Sequence, residues 1–130
     1  MKALVVESSS TMRSVLRRIL SMRCFEVAEA GNGHQALEAL SSIGTADLVL
    51  VSWIPQERDG LDFITRLRRK AAHESVVIVL ATGEPGVRDL QRAFRAGAND
   101  YLMKPFTSLQ IDEKLVRFGL TRQSSANCDR

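Results

Sequence analysis

Short apolar runs alternate five times with amphipathic stretches along the chain, and this alternation limits the fold more than any other feature. The runs are rich in Val, Leu and Ile, which is typical of strands buried on both faces of a parallel sheet. Parallel strands need crossover connections, and stretches with apolar side chains at helical spacing supply them. The sequence therefore predicts an α/β fold: an open, doubly wound, five-stranded parallel sheet with helices on both faces.

The predicted elements follow one another without an internal repeat or a linker. The predicted strands cover residues 2–6, 25–30, 47–52, 76–81 and 99–103, and the predicted helices cover residues 11–23, 34–43, 61–72, 87–96 and 108–120. On the first helix face, Met12 and Met22 are expected to lie in the core. Residues 1–121 are predicted to form one domain, and residues 122–130 are predicted to form a polar C-terminal tail.

The charge balance favours neither a nucleic acid nor a membrane as the partner. The chain has 130 residues with a formal net charge of +3, its arginines are spread over several helices, and only 5% of its residues are aromatic. A nucleic-acid interface needs basic residues concentrated on one face. No apolar run approaches the ~20 residues that span a bilayer, and the N-terminal run is too short for a signal peptide. A cytoplasmic location is therefore expected.

Polar residues end otherwise apolar strands at four places. Glu7 and Ser8 follow the first strand, Ser52 ends the third, Thr82 follows the fourth and Lys104 follows the fifth. Open parallel sheets bind ligands outside the carboxyl ends of their strands, beside the point where the strand order reverses. These residues are far apart in sequence, but this fold is expected to gather them in one shallow pocket.

At these strand ends the sequence resembles the receiver domains of bacterial response regulators, from residue 1 to about residue 120. The motifs that carry the resemblance are Val5-Val6-Glu7-Ser8-Ser9-Ser10-Thr11-Met12-Arg13, Ser52-Trp53, Asp59-Gly60, Ala81-Thr82-Gly83 and Tyr101-Leu102-Met103-Lys104-Pro105-Phe106. The resemblance implies the flavodoxin-like strand order 2-1-3-4-5. It also implies a signalling module rather than an enzyme, so no catalytic residue is expected.

The resemblance implies that three positions of the phosphorylation site are altered. Receivers hold Mg²⁺ with two acidic residues after the first strand, and those positions match Glu7 and Ser8. The phosphate-accepting aspartate at the end of the third strand matches Ser52. Because Mg²⁺ prefers several carboxylate and phosphate oxygens, loss of the metal site is expected, and no other cofactor is expected.

The resemblance also implies that three residues of the conformational switch remain. The hydroxyl that contacts the phosphoryl group matches Thr82, and the aromatic residue that reorients matches Tyr101. The lysine that follows the fifth strand matches Lys104. An unpaired buried ammonium is costly. Lys104 is therefore expected to turn toward Glu7 or to bond the Ser52 hydroxyl. Trp53, beside Ser52, is expected to be half-exposed.

The fourth helix carries the candidate surface for a partner. Receivers commonly dock partners on the surface formed by the fourth helix, the fifth strand and the fifth helix. The charged or polar residues here project away from the apolar stripe of Val87, Leu90 and Phe94; they are Arg88, Gln91, Arg92 and Arg95. The resemblance thus implies an unidentified signalling protein as the partner, with the domain itself a monomer or weak dimer.

The sequence thus favours an atypical receiver domain of two-component or phosphorelay signalling that acts by protein contact without phosphorylation. One alternative is a functional receiver that accepts phosphate on an unusual residue, which mass spectrometry after phosphodonor treatment would detect. The other is a flavodoxin-like cofactor binder. The loop from Glu7 to Thr11 offers hydroxyls but no glycine, and its carboxylate would repel a flavin phosphate.

Overall fold

The computed structural model describes residues 1–53, 59–83 and 86–121. The strands in these residues are β1 (Lys2–Val6), β2 (Glu26–Ala30), β3 (Leu48–Ser52), β4 (Val77–Thr82) and β5 (Asp100–Met103). The α-helices are α1 (Ser10–Ser21), α2 (Gly33–Ile43), α3 (Asp59–Arg68), α4 (Val87–Ala96) and α5 (Ser108–Arg117), with a 3-10 turn at Ala71–His73. The predicted tail, residues 122–130, lies outside the described residues, so the predicted domain end at residue 121 stays a prediction.

The five strands form one sheet in the order β2-β1-β3-β4-β5, and every pairing is parallel. β1 therefore has β2 on one side and β3 on the other, so the order of the strands reverses beside β1. The predicted fold class and the strand order implied by the resemblance are both confirmed. The reversal places a ligand-binding crevice at the carboxyl ends of β1 and β3.

The sheet separates two apolar clusters. In β1, Leu4 and Val6 belong to one cluster, which includes buried residues of α2, α3 and α4. Ala3 and Val5 belong to the other, which includes buried residues of α1 and α5. Because successive side chains point to opposite faces and both faces are covered, the strands read as continuous apolar runs.

Several side chains expected in the core are exposed. Met22 is 68% exposed and Met12 is 38% exposed, because the α1 face that contacts the sheet is centred on Leu16 and Leu20. On α4 the buried residue is Ala93, whereas Val87 is 73% exposed and Phe94 is also exposed. In both helices the apolar residues occupy a wider part of the helix circumference than the part that contacts the sheet.

Arg68 ends α3 earlier than the sequence predicts. The predicted helix extends to residue 72, but the Arg68 guanidinium turns back and donates hydrogen bonds to four acceptors across two loops. These are the carbonyls of Gly97 (3.0 Å), His73 (2.9 Å) and Glu74 (3.1 Å) and Oδ1 of Asn99 (2.8 Å). Gly97, at φ +128°, leaves open the space through which the Arg68 stem passes. Arg68 thereby joins the segments that precede β4 and β5.

Replacing Arg68 is expected to destabilise the fold. Arg68→Ala removes a fork of charge-assisted hydrogen bonds and should lower the free energy of unfolding by about 2–4 kcal/mol in urea denaturation. The Arg68→Lys variant should retain only part of the lost free energy of unfolding, since one ammonium cannot reproduce the planar guanidinium fork. Arg69→Ala, at an exposed neighbour, is the control and should change stability by less than about 0.5 kcal/mol. Equal effects of the Arg68→Ala and Arg69→Ala variants would contradict this role.

Candidate functional site at the carboxyl edge of the sheet

Backbone hydrogen bonds continue the parallel ladder one residue beyond three strands and position the polar side chains. The Glu7 amide donates to the Ala30 carbonyl (2.9 Å), and the Lys104 amide donates to the Thr82 carbonyl (2.7 Å). Ser52, the last residue of β3, is paired with Ala81 of β4. The register therefore places the residues that end β1, β3, β4 and β5 along one edge.

Lys104 lies at the centre of the polar cluster. Its Nζ is 2.5 Å from Oγ of Ser52 and 3.4 Å from Oε1 of Glu7. The sequence analysis expects one of these contacts or the other, and the structure has both, which join side chains from the ends of β1, β3 and β5. The cluster contains one ammonium and one carboxylate, so its formal charges cancel.

Glu7 is held in its ionised form. It is buried, and burial alone would raise the pKa of its carboxyl, but several donors outweigh that effect. The Ser9 amide donates to Oε2 at 2.9 Å, and the Ser52 hydroxyl and Lys104 ammonium also stabilise the carboxylate. Together they lower the pKa of Glu7 below its usual value of 4.5. The carboxylate is therefore a weak base.

A cleft of about 290 Å³ opens beside this cluster. Ser8 is exposed at its rim, and the cleft is also lined by Glu7, Ser52, Trp53 and Asp59. The Gly33 amide donates to Oδ2 of Asp59 at 2.8 Å, so Asp59 joins the first turns of α2 and α3. The cleft occupies the crevice predicted from the strand order.

Among the residues that the structure describes, the donors in the cleft do not fit Mg²⁺. Mg²⁺ requires near-octahedral oxygen ligands and is usually bound through carboxylates. Glu7 is already bonded to the Ser9 amide and Lys104, while Ser8 and Ser52 are neutral. Within residues 1–53, 59–83 and 86–121, no group of three His, Cys, Asp or Glu side chains is close enough to hold a metal.

Thr82 and Tyr101 are near this edge but in different environments. Thr82 is fully buried, and its Oγ1 has no hydrogen-bond partner among the described residues. The Tyr101 ring is half-buried against the α2–α3–α4 side of the core, and the Lys114 ammonium lies 6.0 Å from its centroid. Neither side chain is bonded to Lys104 in the described contacts. Their switch roles remain predictions.

Trp53 is buried rather than half-exposed. It is 2% exposed and packs against Gly60, where any Cβ would overlap the indole. The indole Nε1 has no hydrogen-bond partner among the described residues. The Asp59-Gly60 pair is the only sequence signal for this packing, because a glycine at the start of a helix permits close approach of an aromatic ring. Sequence reasoning missed both the burial of Trp53 and the structural bond of Asp59.

The candidate docking residues form a separate surface on α4. Arg88, Gln91, Arg92 and Arg95 are all exposed. The guanidinium of Arg92 pairs with Asp89 at 2.9 Å, within the same helix. None of these residues lines the cleft beside Ser52.

The sheet order and the polar cluster define a flavodoxin-like domain with its site at the switch point between β1 and β3. Residues 3–116 match the family model described as response regulator receiver domain. The chain therefore belongs to the family of response regulator receiver domains, the signalling modules of two-component systems. No helix in the described residues is long and apolar enough to cross a bilayer.

Several characterised proteins of this family are similar to the chain. Chemotaxis protein CheY1 of Helicobacter pylori is 36% identical over 116 residues, which cover 88% of this chain and 94% of that protein. A chemotaxis protein CheY homolog of Campylobacter jejuni is 34% identical over 88% of this chain and 89% of its own length. Both matches therefore cover most of this chain and most of each relative.

Solved structures confirm the same fold. The receiver domain of a signal transduction histidine kinase from Syntrophus aciditrophicus superposes with a TM-score of 0.78 at 26% identity, covering 97% of this chain and 96% of that one. The chemotaxis protein CheY4 of Vibrio cholerae gives a TM-score of 0.82 at 24% identity, covering 90% and 97%.

Acid should remove the contribution of Glu7 to stability. Because its folded-state pKa is lowered, this contribution is present above the ordinary value of 4.5 and is lost as the pH falls through the lower folded value. Glu7→Gln leaves Lys104 without its counter-charge and should lower the free energy of unfolding by about 1–2 kcal/mol near neutral pH. In urea denaturation, the difference in the free energy of unfolding between the Glu7→Gln variant and the wild type should shrink as the pH falls from about 7 to about 3.

Glu26→Gln is the matched control, because Glu26 is exposed on β2 and has no ion pair among the described residues. It should follow the wild type throughout the same titration. If the free energy of unfolding of the Glu7→Gln variant differs from that of the wild type by the same amount at every pH, the conclusion that Glu7 is ionised and paired with Lys104 is contradicted.

Proposed function

We propose that this receiver domain signals without aspartyl-type phosphorylation and that its output is direct contact with a signalling protein. The observation that carries the proposal is the Lys104 ammonium bonded to both Ser52 and Glu7. These two bonds form an internal polar cluster at the position that matches the phosphorylation site of receivers.

Ser52 is a poor phosphate acceptor in this setting. A serine hydroxyl must lose a proton as it attacks, so it needs a general base within reach. Glu7 is the nearest carboxylate in the cluster, but its lowered pKa makes it a weak base, and Lys104 and the Ser9 amide already use its oxygens. A phosphoserine would also be a stable ester, unlike the labile acyl phosphate on which reversible switching depends.

The metal requirement is expected to have been lost together with the acceptor. Ser8 and Ser52 replace two anionic positions by neutral hydroxyls, and the remaining carboxylate, Glu7, is already paired with Lys104. We propose that the domain works without Mg²⁺ or another cofactor. Thr82 and Tyr101 remain able to change position, since a partner can shift that equilibrium by preferring one arrangement.

The α4 surface is the proposed docking site for the signalling partner. Its outer face carries exposed Arg88 and Arg95, which form no ion pair among the described residues. Exposed Val87 and Phe94 add apolar area beside these charges. A surface of arginines mixed with apolar side chains fits a partner segment that carries both acidic and apolar residues.

Trp53 fluorescence should not respond to Mg²⁺ followed by beryllofluoride, which mimics an acyl phosphate. Trp53 is buried directly beside Ser52, so its emission reports on ligation of the cleft. The double variant Ser8→Asp/Ser52→Asp restores two carboxylates and should regain quenching. The single variant Ser8→Asp is the matched control, because it adds one charge but no acceptor.

Quenching of the wild-type protein would contradict the loss of the site. So would mass spectrometry that detects a stable phosphoryl group on Ser52 after incubation with acetyl phosphate and Mg²⁺. That second result would favour the alternative of a receiver with an unusual acceptor.

In a deletion strain of the source cell, Ser52→Ala should restore the signalling output as well as the wild type does. Arg88→Glu/Arg95→Glu should fail to restore it, because the reversed charges repel an acidic partner. Arg69→Glu, a reversal at the exposed end of α3, should retain output. Loss of output with a folded Ser52→Ala protein would contradict phosphorylation-independent signalling, whereas full output from the α4 double variant would place the partner elsewhere.

A further inference from the structure

An exposed apolar surface spans α1 and α5, on the opposite side of the sheet from α4. Its members are Met12 and Val15 of α1, Met22 at the C-terminal cap of α1, and Leu109 and Val116 of α5, and we name this set the α1–α5 patch. Met22, Leu109 and Val116 are 68%, 67% and 66% exposed, and the other two are also exposed. Monomeric proteins rarely leave contiguous apolar patches of this kind in water without an interaction to cover them.

Helical spacing and one ion pair show that the two halves of the patch adjoin. Val15 lies three residues after Met12 and seven before Met22, so these side chains share one face of α1. On α5, Asp112 lies between Leu109 and Val116 at helical spacing on the same face. Asp112 pairs with Arg23 at the end of α1. This pair ties the apolar face of α5 to the side of α1.

The outer borders of the patch carry opposite charges. Arg18 lies three residues after Val15 on α1, and Glu113 lies four residues after Leu109 on α5. Both are exposed, and neither forms an ion pair among the described residues. Because the exposed Arg117 of α5 is paired with Asp100, the unpaired charge is positive on the α1 border and negative on the α5 border.

We propose that the α1–α5 patch binds the same patch of a second copy of this chain about a two-fold axis. In a two-fold interface the same surface is used by both copies, so it must complement itself. If α1 of one copy lies along α5 of the other, Arg18 meets Glu113 twice and the apolar residues of both copies are buried together. Opposite charges on the two borders are what this arrangement requires, and they set its register. Methionines at positions 12 and 22 suit such a surface because their side chains adapt to fill gaps.

This inference does not depend on the phosphorylation state of Ser52 or on the α4 surface. The patch lies over the core cluster formed with α1 and α5, whereas the proposed docking helix covers the other cluster. The domain therefore has two separate surfaces: one for a second copy and one for a different partner. Failure of either proposal would leave the other in place.

Sedimentation velocity of the full chain tests the dimer. Between about 1 and 200 µM the wild type should shift from monomer toward dimer. Arg18→Glu or Glu113→Arg alone should weaken the association about tenfold or more by placing like charges together. The double variant Arg18→Glu/Glu113→Arg should restore it, since the pair is reformed with the charges exchanged. Arg88→Glu on α4 is the matched control and should dimerise as the wild type does.

All four variants lie at exposed positions, and far-ultraviolet circular dichroism should confirm that they fold alike. A wild type that remains monomeric over this range overturns the proposal. It is also overturned if the two reversals weaken association independently and their combination gives no rescue. Loss of association in Arg88→Glu would place the interface on α4 and would likewise overturn it.

Discussion

The Lys104 ammonium lies at the carboxyl edge of the sheet, bonded to Ser52 and Glu7. A partly buried charge without a partner would be costly, so this contact stabilises the end of β5 against the ends of β1 and β3. Together with the Ser9 amide, which bonds the other carboxylate oxygen, this contact lowers the pKa of Glu7. The contact that stabilises the cluster is therefore also the basis for proposing that the domain works without phosphorylation.

The opposite edge of the sheet depends on a different cation. Arg68 bonds carbonyls and an amide oxygen in the segments that precede β4 and β5, and its fork shape suits several acceptors at once. Lys104 suits the carboxyl edge because one ammonium reaches two neighbours from different strands. Both ends of the sheet are thus held by side-chain donors, while its faces are held by apolar packing. The outer surfaces of the helices are not needed for these contacts and are available for binding.

Those surfaces account for the two interactions proposed for the domain. On α4, exposed arginines stand beside Val87 and Phe94, and on the other side the α1–α5 patch has borders of opposite charge. A receiver whose phosphorylation centre is occupied by an internal ion pair can still respond through differential binding at its surface. Association with a second copy would raise the local concentration of the α4 surface without any change in the cleft.

Periodicity and strand-end polarity were sufficient to predict the sheet and the edge that carries Ser52 and Thr82, and the resemblance to receiver domains added the neighbours of Lys104. The sequence by itself determined these features because alternation of apolar runs and helices leaves few ways to cover a parallel sheet. Only the tertiary structure decided that Trp53 is buried on Gly60, that Arg68 ends α3, and that the apolar arcs of α1 and α4 extend into solvent. Those outcomes depend on which face each helix turns toward the sheet and on contacts between residues far apart in sequence, which a local pattern does not specify.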